Sequence, residues 1–385
     1  MKKYLLTLFI LVFVVSNVLA QDSYAVRGLC IAAPSVNSVD EFVEFIDDEL
    51  APSGLNTLIL RIDFKYKYES RPELVGGNPL SKEDVKKLVA VCKKNNINLM
   101  PQVNLLGHQS WASSVGKLLE AYPEFDETPE VEFPEDYKWP NDDGLYCKSY
   151  CPLHPEVHNV VFDIVDEITE VFEADGFHAG MDEVFYIGHE QCERCYGKDK
   201  AELFAGEVNK IRGHLNASGK KLWIWGDRLI DGKETGIGLW EGSYNNTHQA
   251  IDLIAKDVVI CDWHYERAHP TSVLFAAKGL TVVTCPYRKS EVALEQDKMT
   301  RDLIRNASNE MKPRYAGMMQ TVWGSASNFM NTWKGTGSEN RRDASADCMK
   351  ELVKVWRNNL KGCYRIKTMA SFLLFRNAQP PSVTK

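Results

Sequence analysis

Eight short apolar runs alternate with amphipathic stretches along this chain, and that alternation limits its fold more than any other feature. The strand-like runs lie at 25–33, 56–63, 97–104, 176–182, 221–226, 258–263, 280–285 and 315–323. Helix-like stretches lie among them, at 38–50, 81–95, 156–173, 199–217 and 340–358. Ser81 followed by Asp84 is an N-terminal capping signature for the second of these helices. Strands joined through helices run parallel, because each crossover carries the chain back to the same end of the sheet. Eight parallel strands are the number that closes a TIM (β/α)8 barrel. The rival, an open doubly wound sheet, would favour a Gly-rich phosphate turn after its first strand. That turn here reads Ile31-Ala32-Ala33-Pro34-Ser35, with no dinucleotide fingerprint.

The first twenty residues read as a secretory signal peptide: Lys2 and Lys3, the apolar run Tyr4 to Val15, then Val18-Leu19-Ala20 at the cut. The chain is therefore expected to be exported, to a periplasmic or extracellular location. About 365 residues remain, enough for one large barrel. The barrel is expected over 21–360 and a C-terminal tail over 361–385, with 109–154 as an insertion after strand three. No other apolar stretch is long enough to form a stable membrane span. A net charge of −8 argues against nucleic acid as partner. Ten cysteines in an exported chain make disulfides plausible. Cys30, Cys261 and Cys285 fall inside strands and read as packed thiols. Cys147/Cys151 and Cys192/Cys195 fall in loops and are the better bridge candidates. Alternatively, Cys192-x-x-Cys195, with His189 and His154 nearby, would hold a structural zinc ion; no catalytic metal or cofactor is expected. Asn216, Asn245 and Asn306 head glycosylation acceptor triplets.

In a barrel of this kind the chemistry sits at the carboxyl ends of the strands. Those ends carry Asp63, Asn104, His108, Asp182, Glu183, Asp227, Trp263 with His264 and Tyr265, and Trp323. The adjacent pair Asp182-Glu183 is the most informative of them. Two carboxylates in one site can divide labour, one held ionised and one keeping a proton to donate, as glycosidic cleavage requires. Adjacent side chains on a strand point to opposite faces, so both reach one site only where the strand ends. That end is expected around Val184 to Gly188. Trp225, Trp240, Trp263 and Trp323 fall at or just after strand ends. An indole face packs on the C–H face of a sugar ring, and four indoles at one end favour a sugar pocket over core filling.

With these residues in view, the sequence resembles the catalytic barrel of glycoside hydrolase family 20, the β-N-acetylhexosaminidases. The likeness runs over roughly 24–335. It rests on His178-x-Gly180-x-Asp182-Glu183, on Leu106-Gly107-His108-Gln109-Ser110-Trp111, on Arg27-Gly28, and on Trp225-Gly226-Asp227, Trp240-Glu241, Trp263-His264-Tyr265 and Trp323-Gly324 in order. The small domain that often precedes this barrel is not expected. The resemblance implies substrate-assisted, retaining removal of a terminal N-acetylhexosamine, in which the sugar's own acetamido oxygen attacks the anomeric carbon. Glu183 would be the acid and base, Asp182 would hold the acetamido N–H, and Tyr265 would donate to the acetamido oxygen. Trp225, Trp240 and Trp323 would wall the sugar, and Arg27 would bind its hydroxyls. Trp263 joins the pocket aromatics, and His108 and His178 would organise the site from behind.

Three departures bear on the substrate. Ser325 stands where the family has a glutamate, Gln102 and Asn104 stand for its Glu-x-Asp, and Arg61 and Asp63 stand near its His-x-x-Asp. All three bear on contacts to outer hydroxyls. Two alternatives therefore stand beside the hexosaminidase reading: a non-catalytic carbohydrate-binding protein on the same barrel, and a glycosidase for a different N-acylated sugar.

Overall fold

The computed structural model describes residues 24–133, 137 and 147–358. The leader over 1–20 and the tail over 361–385 lie outside them, as do Cys363 and the insertion's Trp139 and Tyr146. Eight strands form a closed, wholly parallel barrel. In chain order they are β1 (Val26–Ala32), β2 (Thr57–Arg61), β3 (Asn98–Leu105), β4 (Gly176–Gly180), β5 (Lys221–Trp225), β6 (Val259–Trp263), β7 (Thr281–Cys285) and β8 (Tyr315–Thr321). Each pairs with its sequence neighbours, and β8 pairs with β1 through Val26–Gly317 to Cys30–Thr321, which closes the ring. All eight expected strands are present, most within a residue or two of the expected bounds.

The helices arise from local chemistry. Helix α1 (Val39–Phe45) runs on into a wider turn over Ile46–Leu50. Helix α2 (Lys82–Lys94) starts at Ser81, whose hydroxyl accepts from the Asp84 N–H while the Asp84 carboxylate accepts from the Ser81 N–H. Glu83 and Asp84 fall in the first turn and Lys93 and Lys94 in the last, as the helix dipole favours. Helix α3 (Val157–Val171) buries Val157, Val160, Val161, Ile164, Val165 and Ile168, a stripe at helical spacing. Helix α4 (Lys200–Ala217) is capped by Asp199. Helices α5 (Ser272–Ala277), α6 (Ser290–Asn306) and α7 (Ala326–Lys334) complete the outer layer with α8 over 344–358. Between β5 and β6 the crossover is irregular, holding a single helical turn at Gly232–Thr235 and a 3₁₀ segment at Thr247–Asp252.

Two cores result. Apolar residues between strands and helices form the larger one. The barrel interior forms the second, from Cys30, Ile59, Met100, Trp223, Trp225, Cys261, Trp263, Cys285 and Met319 among others. Cys30, Cys261 and Cys285 are thus packed thiols, as expected. Gly28 is needed where β1 crosses Met319, since a Cβ there would lie 2.9 Å from the Met319 side chain. No helix among the described residues is long and apolar enough to cross a membrane.

Candidate active site

The strand that carries the acids ends earlier than expected, at Gly180. Gly180, Met181 and Glu183 all adopt positive φ, at 67°, 66° and 50°. This run of left-handed backbone breaks the pleat, so Asp182 and Glu183 both reach His108 instead of facing opposite ways. Gly180 has no alternative there: a Cβ would lie 2.4 Å from Asn104 Oδ1. Gly107 gives a second close approach, since its Cβ would meet the Asp182 carbonyl at 2.8 Å. Asn245 Nδ2 then donates to the carbonyls of Val184 and Phe185, at 2.9 and 3.0 Å. The side chain of that glycosylation triplet is committed to holding the loop.

Asp182 is 5% exposed. One of its oxygens pairs with His108 Nε2 at 3.1 Å, and the other, Oδ1, is buried with no hydrogen-bond partner. Burial pushes the Asp182 carboxyl up, but the His108 charge and hydrogen bond outweigh it and hold the carboxyl below its ordinary 3.8. Burial would likewise lower His108; the Asp182 charge beside it wins and lifts the imidazole well above 6.5. An ionised carboxylate and an imidazolium therefore face each other at neutral pH. The same His108 Nε2 lies 3.3 Å from Glu183 Oε2. Cys147, a buried thiol pushed up to about 12 by burial, donates to Glu183 Oε2 at 3.5 Å.

Beneath the pair, Asp227 joins three elements. It accepts from the Glu183 N–H at 2.9 Å, from Arg228 Nε at 2.6 Å and from Trp263 Nε1 at 3.2 Å. Burial raises its carboxyl to about 6, against the pull of Arg228. Arg228 is wholly buried and grips the carbonyls of Leu239, Trp240 and Gly242, which places the Trp240 loop. Glu241 latches the same loop to β6 through His264 Nδ1 at 2.7 Å. Trp240 meets Phe185 edge-on. Trp225 is fully buried and lies 5.9 Å from Trp323, which is 37% exposed. Trp323 Nε1 donates to the Tyr265 hydroxyl at 2.9 Å.

The structure thus brings together Asp182, Glu183, His108, Trp225, Trp240, Tyr265 and Trp323. Two expected residues, Arg27 and Trp263, sit otherwise. Arg27 is the second residue of β1, and its guanidinium bonds the Gly54 and Tyr24 carbonyls at the amino end of the barrel. That is the end opposite the acid pair, and an Arg-Gly motif does not state which end of a strand its residue occupies. Arg61, the last residue of β2, takes the rim position instead. It lies over the Trp323 ring at 4.5 Å and donates to the Val322 carbonyl, with a buried Nε left unpartnered. His178 is fully buried on β4 and accepts from the Gly180 N–H at 3.0 Å, so it supports the strand end rather than a ligand. Trp263 is engaged by Asp227 and by Tyr265, 4.9 Å away ring to ring. Of the hub pair, Asp227 stands among the expected strand-end residues, while Arg228, the residue after it, carried no signal of its own.

The expected disulfides are absent among the described residues, where all nine cysteines are free and buried. Cys147 points at His108 and Glu183, whereas Cys151 lies 3.4 Å from the sulfurs of both Cys195 and Cys192. The two neighbours in sequence face different sites, so they cannot bridge each other.

The barrel and its acid pair can now be set beside known proteins. The model of the glycosyl hydrolase family 20 catalytic domain matches residues 60–343. The chain belongs to glycosyl hydrolase family 20. It carries the catalytic barrel of that family of glycosidases, with the acid pair inside the matched span. A lacto-N-biosidase from Bifidobacterium bifidum is 24% identical over 271 residues, covering 67% of this chain and 21% of that protein. A beta-hexosaminidase from Vibrio furnissii is 23% identical over 227 residues, covering 57% of this chain and 32% of that protein. The family 20 chain thus spans a third or less of these relatives' lengths. Among solved structures, a beta-N-acetylhexosaminidase aligns with a TM-score of 0.60 at 18% identity, over 94% of this chain and 79% of that one. A chitobiase from Flavobacterium johnsoniae aligns with a TM-score of 0.58 at 18% identity, over 90% and 52%. At these identities the likeness establishes the shared fold.

Proposed function

We propose that this family 20 barrel removes a terminal N-acetylhexosamine from a glycan or polysaccharide by substrate assistance. One observation carries the reading: the buried Asp182 holds one oxygen on His108 and leaves the other without a donor. A buried carboxylate oxygen left unpaired costs stability unless a ligand supplies the hydrogen bond. An acetamido N–H has the required polarity, and its oxygen would turn toward Tyr265. Glu183, in its protonated form, gives its proton to the departing glycosidic oxygen as the acetamido oxygen bonds to the anomeric carbon. Asp182 stabilises the positive oxazolinium so formed. Glu183 then takes a proton from water as the water oxygen opens the ring at that carbon, with net retention. Trp240 and Trp323 supply the apolar walls, with the buried Trp225 packed behind Trp323.

Chromogenic N-acetylglucosaminide and N-acetylgalactosaminide test this directly. Hydrolysis lost in Glu183→Gln, with tight binding of an acetamido-thiazoline mimic of the intermediate retained, supports it. Sugar binding without turnover in the wild-type chain would favour the carbohydrate-binding alternative.

A second reading, cleavage of a different N-acylated sugar, has its own observation. Ser325 is engaged as the N-cap of α7, accepting from the Asn328 N–H, and the Arg61 guanidinium lies over the Trp323 ring. These residues would meet the outer hydroxyls, so the sugar's far edge is where this chain would differ from its relatives. Export, supported by the basic start and apolar run of the leader, is proposed with it; N-terminal sequencing of the mature chain after Ala20 is the check.

A further inference from the structure

Behind the site, a second cluster has no part in the reaction above. Glu127 and Cys151 belong to the insertion after β3, and Cys192 and Cys195 to the loop between the acid pair and α4. All four are buried, and their ligand atoms lie within 4.8 Å of one another. The turn is folded to present both of its sulfurs: the Cys195 N–H donates to the Cys192 carbonyl at 3.1 Å. The Cys151 sulfur lies 3.4 Å from each of them. Glu127 is fully buried; Oε1 accepts from the His189 N–H at 3.1 Å, while Oε2 has no hydrogen-bond partner. His154 and His189, expected as ligands, are turned away. His154 packs on Phe125, and His189 Nδ1 accepts from the Gln191 N–H.

We infer that Glu127, Cys151, Cys192 and Cys195 bind a structural zinc ion that fastens the insertion to the loop following Asp182-Glu183. Three sulfurs and one carboxylate oxygen make a four-ligand set suited to tetrahedral zinc, whose thiolate ligands lie about 3.8 Å apart. A disulfide would use only two of the three sulfurs and would leave both the third and the Glu127 oxygen unsatisfied. One divalent cation satisfies all four at once. Because the protein fills every position of such a set, no site remains for a catalytic water. The ion's work is mechanical, joining two loops that flank the acid pair.

The test is metal analysis of the purified full chain, which needs no substrate and so stands apart from the glycosidase reading. One zinc per chain is expected. The Cys192→Ser/Cys195→Ser double variant should lose it, and Glu127→Gln should bind it more weakly. Cys348→Ser, a buried cysteine elsewhere in the fold, should keep it. Cobalt in place of zinc should give the intense visible bands of a tetrahedral thiolate site, a readout available in the wild-type chain should the cysteine variants fail to fold. Chelation should lower the melting temperature by at least about 5 °C. The inference is overturned by a metal-free chain that neither takes up zinc nor gains stability from it. A disulfide among Cys151, Cys192 and Cys195 in the native chain, or equal loss of zinc from Cys348→Ser, would overturn it too.

Discussion

Asp182 has two oxygens in two conditions, one bonded to an imidazolium and one awaiting a donor. Replacing it by Asn keeps the shape and removes the charge. Asp182→Asn should therefore lower kcat by about 10²–10³-fold, the usual cost of losing one aimed electrostatic contact, with far-UV circular dichroism unchanged. Tyr265→Phe removes the donor proposed for the acetamido oxygen and should lower kcat by about 10²-fold; an unchanged rate would assign that role elsewhere. The His108–Asp182 pair also sets a pH window. His108 is raised above 6.5, so its stabilisation is whole below that pH and fades as pH climbs through the raised value. Asp182 is lowered below 3.8, so its share is whole above that pH and is lost as pH falls through the lowered value. The pair is worth most between pH 3.8 and 6.5. Urea unfolding of wild type against His108→Gln should show its largest difference there and a smaller one in mildly alkaline buffer.

At the scale of elements, the decisive event is where β4 stops. Gly180→Ala places a Cβ against Asn104 in left-handed backbone and should destabilise the fold by about 1–3 kcal/mol in urea melts. It should also depress kcat, because the same turn aims both acids. The sequence signalled the strand but set its end some residues late, since the apolar run continues through Met181 and Val184. Left-handed backbone at a non-glycine residue has no compositional mark, so Met181 and Glu183 gave no warning. Arg27 was misplaced for a related reason. Its Arg-Gly motif suggests a pocket-lining residue, whereas its guanidinium turns back to the Tyr24 and Gly54 carbonyls ahead of β1 and β2. Strand positions themselves were legible throughout, because buried strands between capped helices leave long apolar runs. The irregular crossover before β6 was not, as Gly and polar residues there carry no period. Cys147 and Cys151 show the same limit: closeness in sequence did not say which way a loop turns between them.

Over the whole molecule, ring closure depends on the last elements as much as on the strands. Helix α7 meets α1 through Phe45 with Phe329 and Trp333, and Trp333 Nε1 donates to Glu49. In α8, Trp356 is buried, and Arg357 donates to the Pro52 carbonyl ahead of β2. Trp356→Ala should cost about 3–5 kcal/mol in denaturant unfolding while leaving KM of the folded enzyme unchanged. A rise in KM or a fall in kcat without a fall in stability would mean that α8 reaches the site. The eight-fold architecture was the most legible feature of all, because it is written in many weak signals that must agree. The outer sugar contacts were the least, because they turn on single rim residues, Ser325 among them. Its hydroxyl begins a helix, so Ser325→Glu would unseat the start of α7, at a cost of about 1 kcal/mol. The rim and the helix share one side chain, so an engineer who wants an acid facing the sugar there must also give α7 another way to begin.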